Sequence, residues 1–178
     1  MRKLLSFLVF VAVVAYGFGI WLFLLHPDDR LPRTADAVVV LAGGRTRLPL
    51  AERLVERQKV ADTLVVSQDS QQHDPRRFAL CDGPKPKGYR LICRFASPLS
   101  TRGEARLIAS LAAEHNWVDV VVVSSRYHLY RAKLLIDRCT NAEIDMRGSD
   151  GDRWWRKALA IPLEYAKLLR AVTFQRGC

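Results

Sequence analysis

A run of 22 residues without a charge, at positions 4–25, constrains this chain more than any other feature of its sequence. A helix of that length measures roughly 33 Å, which matches the ~30 Å hydrocarbon core of a bilayer. Arg2 and Lys3 precede the run, and Pro27, Asp28 and Asp29 follow it. The positive-inside bias then predicts a cytoplasmic amino terminus and an extracytoplasmic remainder. We therefore predict a single-pass protein of the plasma (inner) membrane, in contact with the lipid bilayer.

The apolar run could also belong to a cleaved signal peptide or to a core helix of the domain. A signal peptide has an apolar region of only ~7–15 residues before a small-residue cleavage site. The present run is longer, and its small residues at positions 12–15 come early. A core helix would carry a polar stripe, but none interrupts the run. A membrane anchor fits the pattern better than either.

The net charge of the chain is +10, from 28 Lys and Arg against 18 Asp and Glu. Only Arg2 and Lys3 belong to the first 25 residues, so most of the surplus belongs to the predicted extracytoplasmic part. Genomic nucleic acid is absent there, and the sequence has no zinc-finger, RNP-like or helix-turn-helix signature. We therefore expect no nucleic acid as a partner, and predict acidic lipids or anionic envelope metabolites instead.

Four cysteines fit an oxidising compartment. Cys81 and Cys93 flank a loop rich in Gly, Pro and Lys, where a disulfide would stabilise the fold by up to about 3 kcal/mol. Zinc is the alternative, but the sequence has no Cys-x-x-Cys pair, and we expect no metal. Cys139 follows a helical stretch and is either a buried thiol or an exchange partner in the pairing. Cys178 is terminal and gives no signal of its own.

Short apolar runs alternate with segments of helical periodicity after a polar linker at residues 26–35. Residues 36–178 are predicted to form one extracytoplasmic domain. Its predicted strands are 36–41, 63–66, 89–95, 118–123 and 142–146. Its predicted helices are 48–59, 101–116, 127–138 and 153–174, and residues 67–89 are predicted as one long irregular connection. Strands that are apolar on both faces and separated by helices indicate an α/β domain with a three-layer, Rossmann-like parallel sheet.

Polar side chains follow the predicted strands at the edge where open parallel sheets bind their ligands. A glycine pair, hydroxyls and arginines at this edge favour phosphate or carboxylate. The ligand-binding candidates are Gly43, Gly44, Arg47, Ser67, Ser100, Thr101, Ser124, Ser125 and Arg131. His128 lies three residues before Arg131 on one helical face and is the candidate general acid/base, assisted by Glu104. The sequence identifies neither a nucleophile nor a cofactor.

Each of these features could also have a purely structural role. The glycine pair lacks the Gly-x-Gly-x-x-Gly spacing and the Walker lysine, so it could form only a turn. Ser100 or Thr101 together with Glu104 fits a helix-capping box. His128 at a helix start could be structural. The arginines around residues 45–57 could form a solvated helix face together with the two glutamates there.

Several of these motifs resemble the SanA/ElyC/YdcF family of bacterial envelope proteins, over about residues 36–170. They are the Ala-Gly-Gly that follows the first strand, the Ser-Thr-Arg-Gly-Glu-Ala from Ser100, and the Tyr-His-x-x-Arg-Ala from Tyr127. Glu164 and Lys167 look like the family's closing Glu-x-x-Lys. The resemblance implies an α/β domain, often with a membrane span, and a part in cell-wall and envelope integrity. It implies peptidoglycan or lipid-carrier metabolism in some members and adenosylmethionine binding in others, and supplies no established reaction.

The leading hypothesis is a membrane-anchored envelope protein that binds an anionic, phosphorylated envelope metabolite or lipid-linked precursor. Arg47 and Arg131 would hold the anion, and the hydroxyls would donate hydrogen bonds to it. If the domain is an enzyme, we expect hydrolysis or transfer at a phosphoester. One alternative is a non-catalytic envelope scaffold, supported by Trp154, Trp155 and the cations beside them. Another is a nucleotide- or S-adenosylmethionine-binding domain.

Overall fold

Five strands form a parallel sheet in the order β3-β2-β1-β4-β5, among the residues that the structure describes. The computed structural model describes residues 1–25, 29, 31–69, 74–151 and 153–178. The strands are β1 (Ala37–Val40), β2 (Thr63–Gln68), β3 (Arg90–Phe95), β4 (Asp119–Ser125) and β5 (Glu143–Ser149). The helices are α1 (Arg2–Ile20), α2 (Arg47–Glu56), α3 (Pro75–Asp82), α4 (Thr101–His115), α5 (Leu129–Ile136) and α6 (Trp154–Thr173). The α/β class and the parallel sheet predicted from the sequence are confirmed.

The sheet is buried because alternate residues of its strands pack into two separate hydrophobic clusters. Val38 and Val40 of β1 belong to one cluster, together with the apolar face of α2. Val39 belongs to the other cluster, together with residues of α4 and α5. All three valines are fully buried. This explains why the β1 sequence is a continuous apolar run without the alternation of a half-exposed strand.

The strand order places β1 between β2 and β4, so the chain leaves β1 in one direction and later returns on its other side. At such a reversal the connections diverge and leave a crevice beyond the carboxyl ends of the strands. The amino terminus of α4 and a 3₁₀ turn, Arg126–His128, follow β3 and β4 at this edge.

The connection predicted as irregular over residues 67–89 is wrong, because it contains the end of β2 and helix α3. Asp74 caps α3 by accepting a hydrogen bond from the Arg76 backbone N–H at 3.1 Å. Pro75 occupies the first helical position, where its missing N–H costs nothing. Residues 70–73 of the predicted connection lie outside the described residues.

The carboxyl ends of the last two strands extend further than the sequence predicts. Ser124 pairs with Gly148, and Ser125 with Ser149, so the two serines belong to β4 and do not form a turn after it. The following helix is divided into the 3₁₀ turn and α5.

All four cysteines form disulfides. Cys81 is bonded to Cys93, as the sequence predicts, and joins α3 to β3. Cys139 is bonded to Cys178, so its interpretation as a buried thiol is wrong and Cys178 has a structural partner. A separation of 39 residues gave the sequence no local signal of that pairing. Two disulfides are typical of an oxidising compartment.

The amino-terminal segment Arg2–Leu25 is helical throughout and is long and apolar enough to cross a membrane. Most of it is exposed, so it is not a core helix of the domain. A signal sequence would share its length and composition. The linker predicted over residues 26–35 is described only in part. There, Asp29 binds Arg126 at 2.9 Å and Arg147 at 3.2 Å.

Candidate functional site

A cavity of about 270 Å³ lies beyond the carboxyl ends of β1 to β4. Eight of the side chains or glycines predicted from the sequence line it, and they come from segments far apart in the chain. They are Gly43, Arg47, Ser67, Ser100, Thr101, Glu104, His128 and Arg131. The parallel sheet therefore gathers most of the candidate residues at one edge.

The glycine pair makes room for Arg47. Gly43 has φ +94°, a conformation that favours glycine, and a Cβ there would lie 3.1 Å from Arg47 Nη1. The guanidinium folds back over the turn, where it donates to the Ala42 carbonyl and, at 3.2 Å, to the Ser125 hydroxyl. Arg47 is only 7% exposed, so it does not belong to a solvated helix face. Gly44 supports the same turn without lining the cavity.

Glu104 points into the cavity and does not cap its own helix. The cap of α4 is Ser100, whose hydroxyl accepts from the Gly103 N–H at 3.2 Å. Glu104 Oε1 accepts from the backbone N–H of Ala42 at 2.6 Å, so the capping-box interpretation is wrong for Glu104. Burial raises the pKa of Glu104, although the Ala42 N–H and the charge of Arg47 oppose the shift.

A buried ion pair forms the opposite wall. Arg131 Nε donates to Glu164 Oε2 at 2.7 Å, and Arg131 Nη2 donates to Oε1 at 3.1 Å, which joins α5 to α6. Burial raises the pKa of Glu164, but the hydrogen bonds and the charge of Arg131 more than reverse this and hold it below its usual range. Lys167 Nζ lies 3.5 Å from Oε1 at the cavity rim.

The proton of His128 can be assigned from its neighbours. Arg131 Nη2 lies 3.0 Å from Nδ1, and because a guanidinium can only donate, Nδ1 is the acceptor. The ring proton is then on Nε2 and is donated to Thr101 Oγ1 at 3.3 Å. Burial and the charges of Arg131 and Arg47 lower the pKa of His128 to about 4, against the opposing effect of Glu164. His128 is therefore neutral at neutral pH.

Thr101 is left with one proton to donate. Its hydroxyl oxygen accepts from His128 Nε2 and, at 3.2 Å, from Arg131 Nη1. A hydroxyl that accepts two hydrogen bonds has only its own O–H left to use. Thr101 is also the first residue of α4, at the end of the helix where its dipole favours an anion. This part of the cavity therefore presents the Thr101 O–H as a donor to a ligand that carries a hydrogen-bond acceptor.

Three of the predicted ligand-binding residues do not line the cavity: Gly44, Ser124 and Ser125. The two serines are fully buried in β4. The Ser125 hydroxyl accepts from Arg47, so it supports a cavity residue. The Ser124 hydroxyl has no hydrogen-bond partner in the described part of the chain.

Contributions from α6 and α3, and Asp69 after β2, were absent from the predicted site. Glu164 and Lys167 come from α6, and in the sequence only the resemblance to a closing Glu-x-x-Lys pointed to them. Arg77 of α3 is buried and donates to the carbonyls of Leu41 and Ser67, each at 2.8 Å, which ties the ends of β1 and β2 together. The Asp-Pro that begins α3 was the available signal for that helix.

No group of three or more His, Cys, Asp or Glu that could hold a metal ion occurs within the described part of the chain. Comparison with family models, curated proteins and solved structures found no match. The cavity's side chains and the surfaces around them therefore carry what can be inferred about function.

Proposed function

We propose that this chain is a membrane-anchored protein of the bacterial cell envelope whose domain binds an anionic, phosphorylated metabolite or lipid-linked precursor. The proposal includes the cytoplasmic amino terminus, the Rossmann-like layering and the role in envelope integrity that the resemblance to the SanA/ElyC/YdcF family implies. The Thr101 hydroxyl carries it: Arg131 and His128 both donate to this oxygen, so its proton is available to an acceptor.

Of the residues that the structure describes, three cations and three carboxylic acids line the cavity. Arg47, Arg131 and Lys167 all line it. Asp69, Glu104 and Glu164 line it as well, and Glu164 is held by Arg131 through two hydrogen bonds. An anion is therefore favoured by the donors at the start of α4 and not by an excess of cations around the cavity.

The cavity is large enough for a phosphoryl group and the atoms attached to it. Its volume is about 270 Å³, whereas pockets for drug-sized ligands measure roughly 300–1,000 Å³. A phosphate and the first atoms attached to it would fill this volume. A longer ligand would extend past the rim, where Lys167 lies half-exposed.

The contacts of the apolar segment favour an anchor over a cleaved signal. Phe23 is fully buried, with its ring 5.2 Å from Tyr165 and 6.4 Å from Tyr130 between ring centroids. The Tyr165 hydroxyl donates to the Ala15 carbonyl at 2.8 Å. Cleavage after the apolar run would remove Phe23 from these rings and expose them.

Catalysis at a phosphoester remains a prediction from the sequence, with His128 and Glu104 in the proposed acid–base roles. A neutral His128 fits a proton acceptor better than a proton donor at neutral pH. Its Nε2 proton orients Thr101, so accepting a proton there would require the other tautomer.

The test is calorimetric titration of inorganic phosphate into the full-length protein in detergent. We expect the wild type to bind phosphate and Thr101→Val to bind it roughly 10-fold more weakly, since a hydrogen bond to a charged group is lost. Thr46→Val is the matched control, because Thr46 bonds Ser149 at 3.1 Å and does not line the cavity. Absence of phosphate binding by the wild type, or equal affinities for both variants, would refute the proposal.

A further inference from the structure

Helix α6 is apolar on two opposite sides. On one side Ala171 packs into the core of the domain, and Ile161 is buried beside Gly19 of α1. On the other side Trp155, Leu159, Leu163 and Leu169 are 40%, 62%, 58% and 63% exposed. Their spacing of four, four and six residues keeps them within one stripe of the helix. We refer to these four residues as the outer face of α6.

Helix α1 packs directly beside this outer face. Gly19 allows the close approach, because a Cβ there would lie 2.5 Å from Ile161 Cγ2. The Tyr16 hydroxyl donates to the Ala158 carbonyl at 3.2 Å, and the Tyr165 hydroxyl donates to Ala15. From residue 15 onward, α1 is therefore in contact with α6.

The length of α1 shows where the bilayer surface must be. Residues 4–14 are the part of the apolar run before the contact with α6. As a helix they measure roughly 17 Å, about half of the ~30 Å hydrocarbon core. Gly19, at the contact with α6, lies six residues before the end of the run, which is roughly 9 Å along a helix. If the whole run lies in hydrocarbon, this contact lies about that far below the boundary between acyl chains and headgroups. A lipid surface is therefore the occupant that the outer face must meet.

The charges of α6 match an acidic lipid surface. Arg153, Arg156 and Arg170 are exposed on or beside the helix, while its single acid, Glu164, is buried in the cavity wall. The Arg156 guanidinium lies 5.3 Å from the centre of the Trp155 ring. Tryptophan and arginine together are typical of helices that lie at the headgroup level.

We propose that α6 is an interfacial helix whose outer face lies in the headgroup–acyl boundary of a leaflet containing anionic lipid. This inference rests on the proposed anchoring by α1. The domain is then attached at two places, the span and α6, which fixes its orientation on the membrane. Because α6 also supplies Glu164 and Lys167, one wall of the cavity belongs to the membrane-bound helix.

The test uses fluorescence of full-length protein in vesicles of phosphatidylcholine and phosphatidylglycerol, with or without bromine on the phosphatidylcholine acyl chains. Trp21→Phe/Trp117→Phe leaves only Trp154 and Trp155 of the four tryptophans. Bromine quenches tryptophan on contact, so we expect roughly two-fold lower fluorescence for side chains inserted ~5–10 Å into the boundary. Adding Leu159→Glu/Leu163→Glu should restore most of the fluorescence.

A variant that keeps only Trp117, which lies between α4 and β4, is the matched control and should be equally bright in both kinds of vesicle. Equal brightness of the Trp154/Trp155 variant in both would overturn the inference, and cross-linking of two copies through α6 would then assign the face to self-association. Flotation separates the two proposals. Protein that floats with vesicles but is not quenched refutes only the placement of α6. Protein that does not float refutes the anchoring, and this inference with it, and leaves phosphate binding unaffected.

Discussion

At the level of single residues, the directions of the hydrogen bonds in the cavity are fixed by a group that can only donate. Arg131 has only donors, so it orients every group that it touches: Glu164 and Thr101 as acceptors, and Nδ1 of His128 as an acceptor too. The lowered pKa of His128 is consistent with this, since a protonated ring would present a second donor to Arg131. Thr101 accepts from both Arg131 and His128, and its O–H is the donor that remains for a ligand.

Glu104 provides a prediction about pH. Glu104→Gln keeps an acceptor for the Ala42 N–H and removes a carboxyl whose pKa is raised by burial. A raised pKa means that the folded state favours the protonated form, so the wild type loses stability as the pH rises through that pKa. We expect the variant to be at least as stable as the wild type at about pH 8, and its advantage to shrink toward about pH 5. Thermal unfolding in detergent measures the difference.

Glu114→Gln is the control for this prediction, because Glu114 lies on the same helix and its side chain is 60% exposed. It should leave the pH dependence unchanged. A Glu104→Gln variant that is clearly less stable than wild type at about pH 8 would show that Arg47 holds Glu104 as a carboxylate.

At the level of elements, α6 connects three parts of the molecule. It supplies Glu164 and Lys167 to the cavity, contacts α1 through Ile161 and Tyr165, and presents the outer face. Pro162 lies inside this helix, which nevertheless continues from Trp154 to Thr173. A disturbance of the α1 contact should therefore affect the domain as well as the anchor.

A pair of glycine substitutions tests the contact between α1 and α6. Gly19→Leu places a side chain where a Cβ alone would lie 2.5 Å from Ile161, whereas a Cβ at Gly17 meets nothing within 4 Å. Both changes keep the run apolar. We expect Gly19→Leu to destabilise the full-length protein by about 1–3 kcal/mol through overpacking, and Gly17→Leu to have little effect. Thermal unfolding in detergent compares them, and equal losses would contradict the packing described for α1.

The strands could be predicted because burial on both faces leaves little choice of residue. The valine runs of β1 and β4 can be recognised as buried strands from the sequence alone. They therefore predict the sheet and the edge at which its strands end. Helix α3 could not be predicted from periodicity, since eight residues with two arginines at the start show little apolar pattern. The ends of the strands could not be predicted from the sequence either. Whether Ser124 and Ser125 form a turn or a strand depends on their pairing with β5, which is distant from them in the sequence.

The same distinction holds for the candidate site. Residues that directly follow an apolar strand, such as Arg47 and His128, could be found because strand ends meet at one edge. Partners that arrive from another element could not be found in this way. The ion pair between Arg131 and Glu164 joins residues 33 positions apart, and the hydrogen bond from Ala42 to Glu104 joins residues 62 positions apart. Only packing determines such pairs.

At the level of the whole molecule, two disulfides hold the ends of peripheral segments. Cys81–Cys93 closes a separation of 12 residues and holds α3, which carries Arg77 to the strand ends. Cys139–Cys178 closes a separation of 39 residues and holds the segment after α6 against the end of α5. The second disulfide constrains the unfolded chain more than the first.

The two disulfides should therefore differ in their contribution to stability. On the chain-entropy account, Cys81→Ser/Cys93→Ser should lose roughly 3 kcal/mol and Cys139→Ser/Cys178→Ser roughly 4 kcal/mol. Denaturant unfolding of both variants and the wild type measures the order, and each double variant serves as the other's control. A larger loss for the shorter loop would indicate that Arg77 and its carbonyl partners, and not chain entropy, dominate the contribution of α3.

The burial of Phe23 between Tyr130 and Tyr165 has a practical consequence for ligand screening. Membrane proteins are commonly trimmed of their spans to obtain material that can be crystallised or robotically assayed. A version that begins after Leu25 would lack the Phe23 ring, which packs against Tyr165 of α6. The same helix carries Glu164, the partner of Arg131. Compound libraries tested on trimmed material would meet a binding pocket with a loosened wall, so weak hits there would understate the affinity of the intact protein.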